Sequence, residues 1–334
     1  MYVDRRNPEA GNNLTMVRAI NQALAQELAL DDKLILFGQD IGKNGGVFRT
    51  TEHLQEKFGE ERVNDTPLAE SGILGMAIGL ANQGFHPVAE IQFLPFIYEA
   101  LDSINQMSRM SYRTGGLAEM PIVVRTPFGG GVGTPEFHPD NLEGLLAHFQ
   151  GLRVVMPSSA IEAKGLMAAA IRDPHPVVFL EHMYLYRSFR EKVDEDPYTV
   201  PIDQARVVQE GEDVTVITYG AMVRKTQNVV EELAAEGISV ELIDLRSLAP
   251  IDYDTIMQSV LKTQRVVMVQ EAQSHCGLGG QIISEISRRA FYQLLVPIEF
   301  VAAPNTPFPF KQLEHDWLPS EADIKKAIKK TQAR

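Results

Sequence analysis

Short, β-branched apolar runs alternate with helix-length segments along almost the whole chain, and this alternation narrows the possible folds more than any other feature. In the first half Lys33–Phe37 (KLILF), His86–Phe93 (HPVAEIQF), Pro121–Arg125 (PIVVR), Leu152–Met156 (LRVVM) and Pro176–Leu180 (PVVFL) read as strands, with helical patterns near residues 15–29, 71–83, 96–112 and 159–172. The runs are continuously apolar, which predicts strands covered on both faces, and strands alternating with helices predict a doubly wound α/β sheet. From Arg187 to Asp203 the composition turns charged and proline-punctuated, without helical period, and reads as a crossing between domains. The alternation then resumes with Asp213–Gly220, Ile238–Arg246, Arg265–Glu271 and Val296–Val301, with helices running through Val229 and from Gly279. A second, smaller α/β domain follows from this.

The length of 334 residues suits two such domains, and 44% hydrophobic residues give each a core. No run of about 18 apolar residues is available to cross a bilayer. The N-terminal Met1–Asn13 carries acids, lacks an apolar core and does not read as a leader, so the expected location is cytoplasmic and no membrane partner is predicted. A single cysteine, Cys276, excludes an internal disulfide and any multi-cysteine metal site. Lys+Arg 31 against Asp+Glu 44 gives a net charge of −13, which argues against nucleic acid and favours a basic protein partner.

Two glycine-rich stretches invite a nucleotide reading and fail it. Phe128–Pro135 (FGGGVGTP) lacks the Gly-Lys-Ser/Thr ending of a phosphate loop, and Cys276–Gln281 (CGLGGQ) lacks dinucleotide spacing and the acidic residue that should follow. A Gly-Asp-Gly followed some thirty residues later by paired asparagines, the pattern that holds a metal-bound diphosphate in thiamin enzymes, is likewise missing.

Thr66–Gly79 (TPLAESGILGMAIG) sets one carboxylate, Glu70, at the mouth of a small, oily segment. Gly72, Gly75 and Gly79 fall three and four apart, hence on one helix face, although each glycine there costs about 1 kcal/mol relative to alanine. Such a face either packs tightly on the chain's own sheet or receives another subunit. Glu70 itself is either a helix-start acid favoured by the macrodipole or a functional carboxylate. Among the histidines, His138 stands out in the Gly/Pro-rich loop GTPEFHPD, where α/β folds place catalytic groups. His53, His86, His175, His182, His275 and His315 have no partners at ligand or relay spacing, and most histidines are expected at the surface.

With these motifs in view, Asp65–Gly79, Ala89–Asp102, Ser111–Gly116, Pro127–Gly131, Ala163–Leu166 and Val177–His182, in this order, resemble the β subunit of the thiamin-dependent decarboxylase of 2-oxo acid dehydrogenase complexes, most nearly the bacterial pyruvate and branched-chain enzymes. The likeness runs from about Leu14 to Leu318. It implies a transketolase-like pyrimidine-binding domain over residues 12–188, a linker over 189–204 and a transketolase C-terminal-type domain over 205–330. It implies that Glu70 meets the aminopyrimidine ring of thiamin diphosphate, that Leu68, Gln92 and Phe96 line that ring, and that His138 supplies an acid when the acyl group passes to a lipoyl arm. Pro139 stands where the family has serine. The resemblance further implies a potassium site of backbone carbonyls at Ile122, Ala170, Ile171, Asp173 and His175, the last in place of the usual asparagine; an ordinary helix-to-strand turn is the alternative. The implied partners are an α subunit, which completes an α2β2 tetramer and holds Mg2+ with the diphosphate, and the subunit-binding domain of a lipoyl acyltransferase core. Pyruvate is the favoured substrate. A branched-chain 2-oxo acid enzyme and a docking subunit without catalysis are the alternatives.

Overall fold

The protein is described here by a computed structural model covering residues 11–333. Of the N-terminal stretch read as carrying no leader, residues 1–10 lie outside the described residues. Two compact units are present: one from residues up to Phe128 together with Leu145–Ile202, the other from Gly129–Gly144 together with Asp203 onward.

The first unit runs β1 (Asn12–Leu14), α1 (Met16–Leu30), β2 (Leu34–Gly38), α2 (Leu54–Phe58), β3 (Val63–Asp65), α3 (Glu70–Asn82), β4 (His86–Glu90), α4 (Leu101–Arg113) and β5 (Val123–Phe128). The short α5 (Glu143–Ala147) follows, then β6 (Arg153–Val155), α6 (Ala160–Ile171), β7 (Val177–His182) and β8 (Glu191–Val193). Its strands stand side by side in the order β6-β7-β5-β4-β2-β3, every neighbouring pair parallel. β5 and β7 are buried at every position, as expected of parallel strands covered by helices on both faces. The segment read as the crossing contributes β8, which pairs antiparallel with β1.

Helix α6 packs against α1, and Arg172 beyond its end grips Glu27 of α1 with two hydrogen bonds of 2.9 and 2.6 Å. The same helix carries a buried lysine. Lys164 donates to the backbone carbonyls of Asp194, Glu195 and Asp196 and lies 5.0 Å from the Tyr198 ring centroid. Burial pushes its ammonium down to about 8, against the pull of the Asp194, Asp196 and Glu195 carboxylates. Lys164→Met should remove the donor from three carbonyls and lower stability by about 2 kcal/mol or more. The expected signature is new proteolytic cleavage within residues 194–198; unchanged cleavage would mean that the segment is held by other contacts.

The second unit runs β9 (Arg206–Gln209), β10 (Val214–Thr218), α7 (Ala221–Ala235), β11 (Val240–Asp244), β12 (Ser247–Ala249), α8 (Tyr253–Thr263), β13 (Val266–Gln273), α9 (Leu278–Ala290), β14 (Glu299–Ala303), α10 (Glu314–Trp317) and α11 (Glu321–Gln332). Its sheet has the order β14-β13-β10-β11-β9, parallel except for the edge strand β9. Antiparallel edges on otherwise parallel sheets are common, and the sequence pattern did not mark this one.

Candidate active site

In the first sheet the chain passes from β2 outward to β3, then returns past β2 to β4, so strand order reverses beside β2. Open parallel sheets offer ligands a crevice beyond the carboxyl ends of the strands at such a reversal. Leu68 and Glu70 follow the carboxyl end of β3, and Gln92 and Phe96 follow that of β4. All four ring-lining residues expected from the sequence are thus delivered to one edge of one sheet. Helix α3 packs on the 3-10 helix Leu94–Ala100 that carries Phe96. Phe96 stands edge-on to Phe93 at 5.7 Å, and Phe93 edge-on to Phe48 at 5.8 Å. Glu70, the first residue of α3, is half-buried and has no hydrogen-bond or ion-pair partner among the described residues.

The orientation of α3 decides between the two readings of its glycines. Ile73, Leu74, Ala77 and Ala81 are its buried face. Gly72, Gly75 and Gly79 point outward: a Cβ added at Gly75 or Gly79 would meet no atom within 4 Å, and one at Gly72 would meet only Ala69 Cβ, at 3.4 Å. Tight packing on the chain's own sheet is therefore overturned as their cause. Leu68 (70% exposed) and Met76 (40% exposed) extend the same uncovered surface.

His138 lies beyond the carboxyl end of β5, in the loop Gly129–Gly144 that packs with the second unit. Its Nδ1 lies 3.1 Å from the Glu136 carbonyl. Phe137, immediately before it, has φ +74°, a left-handed conformation that an aromatic residue adopts only when its surroundings enforce it. Asp140 is pushed above the ordinary carboxyl range by burial and then by Glu136.

The residues expected to hold potassium gather at the opposite edge. Ile122 precedes β5, Ala170 and Ile171 are the last two residues of α6, and Asp173 and His175 lie in the turn before β7. The Ile122 carbonyl accepts from Val177 N–H at 2.8 Å, and the Ala170 carbonyl from Asp173 N–H at 3.3 Å. Asp173 pairs with Arg153 at 2.9 Å and with His175 Nδ1 at 3.1 Å. The Ala170 carbonyl also faces the Arg172 N–H, whereas the Ile122 carbonyl retains a second lone pair, which is compatible with a carbonyl-bound monovalent cation.

One histidine departs from the surface expectation: His182 is buried, edge-on to Phe128 at 5.1 Å, because β7 ends inside the unit. His86, partly exposed, is bound to Asp31 at 2.5 Å between the end of α1 and the start of β4. Sequence reading also missed a buried ionic cluster. Arg125 of β5 donates to Glu181 of β7 through two bonds of 2.8 and 2.7 Å and also to Glu90 of β4, and Tyr186 OH donates to Glu181 at 2.5 Å. Burial and then Glu181 hold the Glu90 carboxyl above its ordinary range despite Arg125, while Glu181 and Glu90 drive the guanidinium further up. Glu90 closes β4 two residues before Gln92, so the cluster fixes the strand end from which the ring-lining residues depart.

Two successive α/β units, with an unpartnered carboxylate at the carboxyl edge of the first, define a chain of the transketolase-like class. Residues 12–188 match the pyrimidine-binding domain of transketolase and residues 203–324 its C-terminal domain. The β subunit of the pyruvate dehydrogenase E1 component of Staphylococcus aureus (strain Mu50 / ATCC 700699) is 55% identical over 95% of this chain and 98% of that protein, and its Bacillus subtilis (strain 168) counterpart is 53% identical over the same shares. The chain belongs to the family of pyruvate dehydrogenase E1 component β subunits. A solved structure described as a split gene transketolase, inactive beta4 tetramer, shares the fold with a TM-score of 0.75 at 22% identity, covering 96% of this chain and 98% of that one.

Proposed function

We propose that this chain is the β subunit of an α2β2 2-oxo acid dehydrogenase decarboxylase that acts on pyruvate and passes the acyl group to the lipoyl arm of an acyltransferase core. One observation carries the reading: the helix that begins with the unpartnered Glu70 turns a bare glycine face outward. A backbone-thin face suits a close-packed second subunit, and a half-buried carboxylate without a protein partner suits a ring nitrogen as its ligand.

The residues present fit the ring half of thiamine diphosphate. Glu70 would bond the aminopyrimidine, with Leu68, Gln92 and Phe96 around it. When bound, thiamine diphosphate supplies the electron sink for decarboxylation. Glu70 then holds a proton on the ring nitrogen, Phe96 and, once the α subunit covers it, Leu68 keep water from that proton, and His138 serves as the acid for the departing lipoyl sulfur. Mg2+ and the diphosphate are assigned to the α subunit, because the Gly-Asp-Gly and paired-asparagine motif is absent from this sequence. Potassium is assigned to the carbonyls of Ile122, Ala170, Ile171, Asp173 and His175, as a structural ion at the edge of the sheet away from Glu70. The net charge of −13 supports docking to a basic subunit-binding segment of the acyltransferase, in the cytoplasm.

The test is calorimetric. The chain alone should bind thiamine diphosphate weakly or not at all, and mixing with an α subunit should create tight, magnesium-dependent binding together with pyruvate decarboxylation. Tight magnesium-dependent binding by this chain alone would sink the two-chain reading, and turnover of branched-chain 2-oxo acids in preference to pyruvate would reassign the substrate.

A further inference from the structure

The loop that carries His138 is rich in glycine, and its backbone amides need partners. Gly129, Gly131 and Gly133 all have left-handed φ values, at +90°, +90° and +67°. Their turns direct three amides at two carboxylates that come from far along the chain. Gly130 N–H donates to Glu271 Oε1 at 2.8 Å, and Asn141 Nδ2 donates to the same oxygen at 3.4 Å. Gly131 N–H donates to Glu314 Oε1, and Gly133 N–H to Glu314 Oε2 at 3.0 Å. Both carboxylates are 5% exposed. Glu271 lies within β13 and Glu314 opens α10.

Apolar contacts press on the same stretch. Phe308, Trp317 and Leu318 form a buried cluster with Ala303, and a Cβ at Gly130 would sit 2.8 Å from Phe308 Cζ and 3.0 Å from Leu318 Cδ2. Glu143, at the far end of the loop, accepts from Tyr219 OH at 3.1 Å. The left-handed Phe137 next to His138 is thus flanked on both sides by backbone fixed to the second unit. A buried carboxylate that accepts two amide hydrogens is a strong and geometrically demanding partner, since charge-assisted bonds are shorter and stronger than neutral ones. Burying two carboxylates to hold a surface loop is unfavourable unless the loop's geometry is itself required.

We propose that Glu271 and Glu314 are positioning residues for the acyl-transfer step: they clamp the amides of Gly130, Gly131 and Gly133 and so fix where the His138 imidazole stands. The proposal rests on the decarboxylase reading above and adds to it residues that do not touch the reacting atoms. Glutamine keeps the shape of either side chain but turns one acceptor oxygen into a donor: at Glu314, where each oxygen accepts a loop amide, one amide would face an N–H, and at Glu271 the oxygen shared by Gly130 N–H and Asn141 Nδ2 loses its charge.

The experiment uses the α2β2 enzyme carrying Glu314→Gln or Glu271→Gln, each also combined with His138→Ala. Turnover is measured with the lipoyl domain and, separately, with an artificial electron acceptor that bypasses acyl transfer. The expected result is a loss of about 10- to 100-fold with the lipoyl domain, a clearly smaller loss with the artificial acceptor, and no further loss when His138 is already alanine. Hydrogen exchange on this chain without cofactor should show faster exchange of peptides within residues 129–144 and unchanged exchange elsewhere. Equal losses in both assays, the same fold-loss in the His138→Ala background, or unchanged exchange of the loop would each overturn the clamp, as would failure of both variants to fold. Absence of decarboxylation by the wild-type pair would instead overturn the decarboxylase reading, and is scored separately.

Discussion

Arg125→Met is expected to be the most destabilising single substitution in the first unit. Arg125 is 1% exposed and is the cation between Glu90 and Glu181, both buried. Methionine fills most of the volume but leaves two like charges facing each other away from water. Removing one partner of a buried ion network costs about 3–5 kcal/mol, a loss of about 4–7 °C in melting temperature for a chain of this size. The sign of the pH dependence follows from Glu90, whose folded pKa already lies above the ordinary carboxyl value. An acid raised on folding binds more protons in the native state, so its contribution to stability is present below the unfolded value and lost as pH rises through the folded one. Without the guanidinium, which pulls the Glu90 carboxyl down, that carboxyl shifts further upward. The gap between wild type and variant should therefore narrow as the medium is acidified from neutrality towards pH 5, and adding Glu90→Gln and Glu181→Gln should recover much of the loss. Thermal unfolding followed by circular dichroism measures both effects; a variant melting within about 2 °C of wild type at neutral pH would show that the cluster is better hydrated than its geometry indicates.

The cluster also marks where sequence reading stops. Strands such as PIVVR and PVVFL announce themselves by unbroken apolar runs, and the structure places β5 and β7 where those runs lie. The charged residues that end or interrupt them carry no such signal: Arg125, Glu90 and Glu181 look like strand-end surface groups until the order β4-β5-β7 brings them together over separations of 35 and 56 residues. The same holds for Glu271 and Glu314, which meet the glycine loop from 141 and 183 residues away. Helix α3 was legible in its length and in its glycine spacing, but periodicity has no absolute phase and could not say which face met the sheet. His182 was misjudged for a related reason, since a lone polar residue at the end of VVFLEH gives no sign of whether the strand ends at the surface or inside. Glu70 and His138 stand out by context and by motif.

Glu70→Gln addresses the most consequential of these roles. The amide keeps the size and the helix-start position, and Glu70 has no hydrogen-bond or ion-pair partner among the described residues, so little stability is at stake. Assembly with the α subunit and the melting temperature should stay close to those of wild type. The chemistry should not. A carboxylate accepts a proton shared with a ring nitrogen; an amide offers a weaker acceptor and a donor where none is wanted. Loss of a positioned acid–base group lowers rates by about 10²- to 10⁴-fold, and that loss should appear both in decarboxylation and in exchange of the thiazolium carbon proton, measured by quenched-flow NMR on the assembled enzyme. A helix-start acid behaves differently. If Glu70 only complements the macrodipole of α3, glutamine would lower stability by about 0.3–1 kcal/mol and leave proton exchange untouched. Normal exchange in a well-assembled Glu70→Gln enzyme would thus return this carboxylate to a structural role and leave the outward glycine face as a subunit contact without a catalytic neighbour.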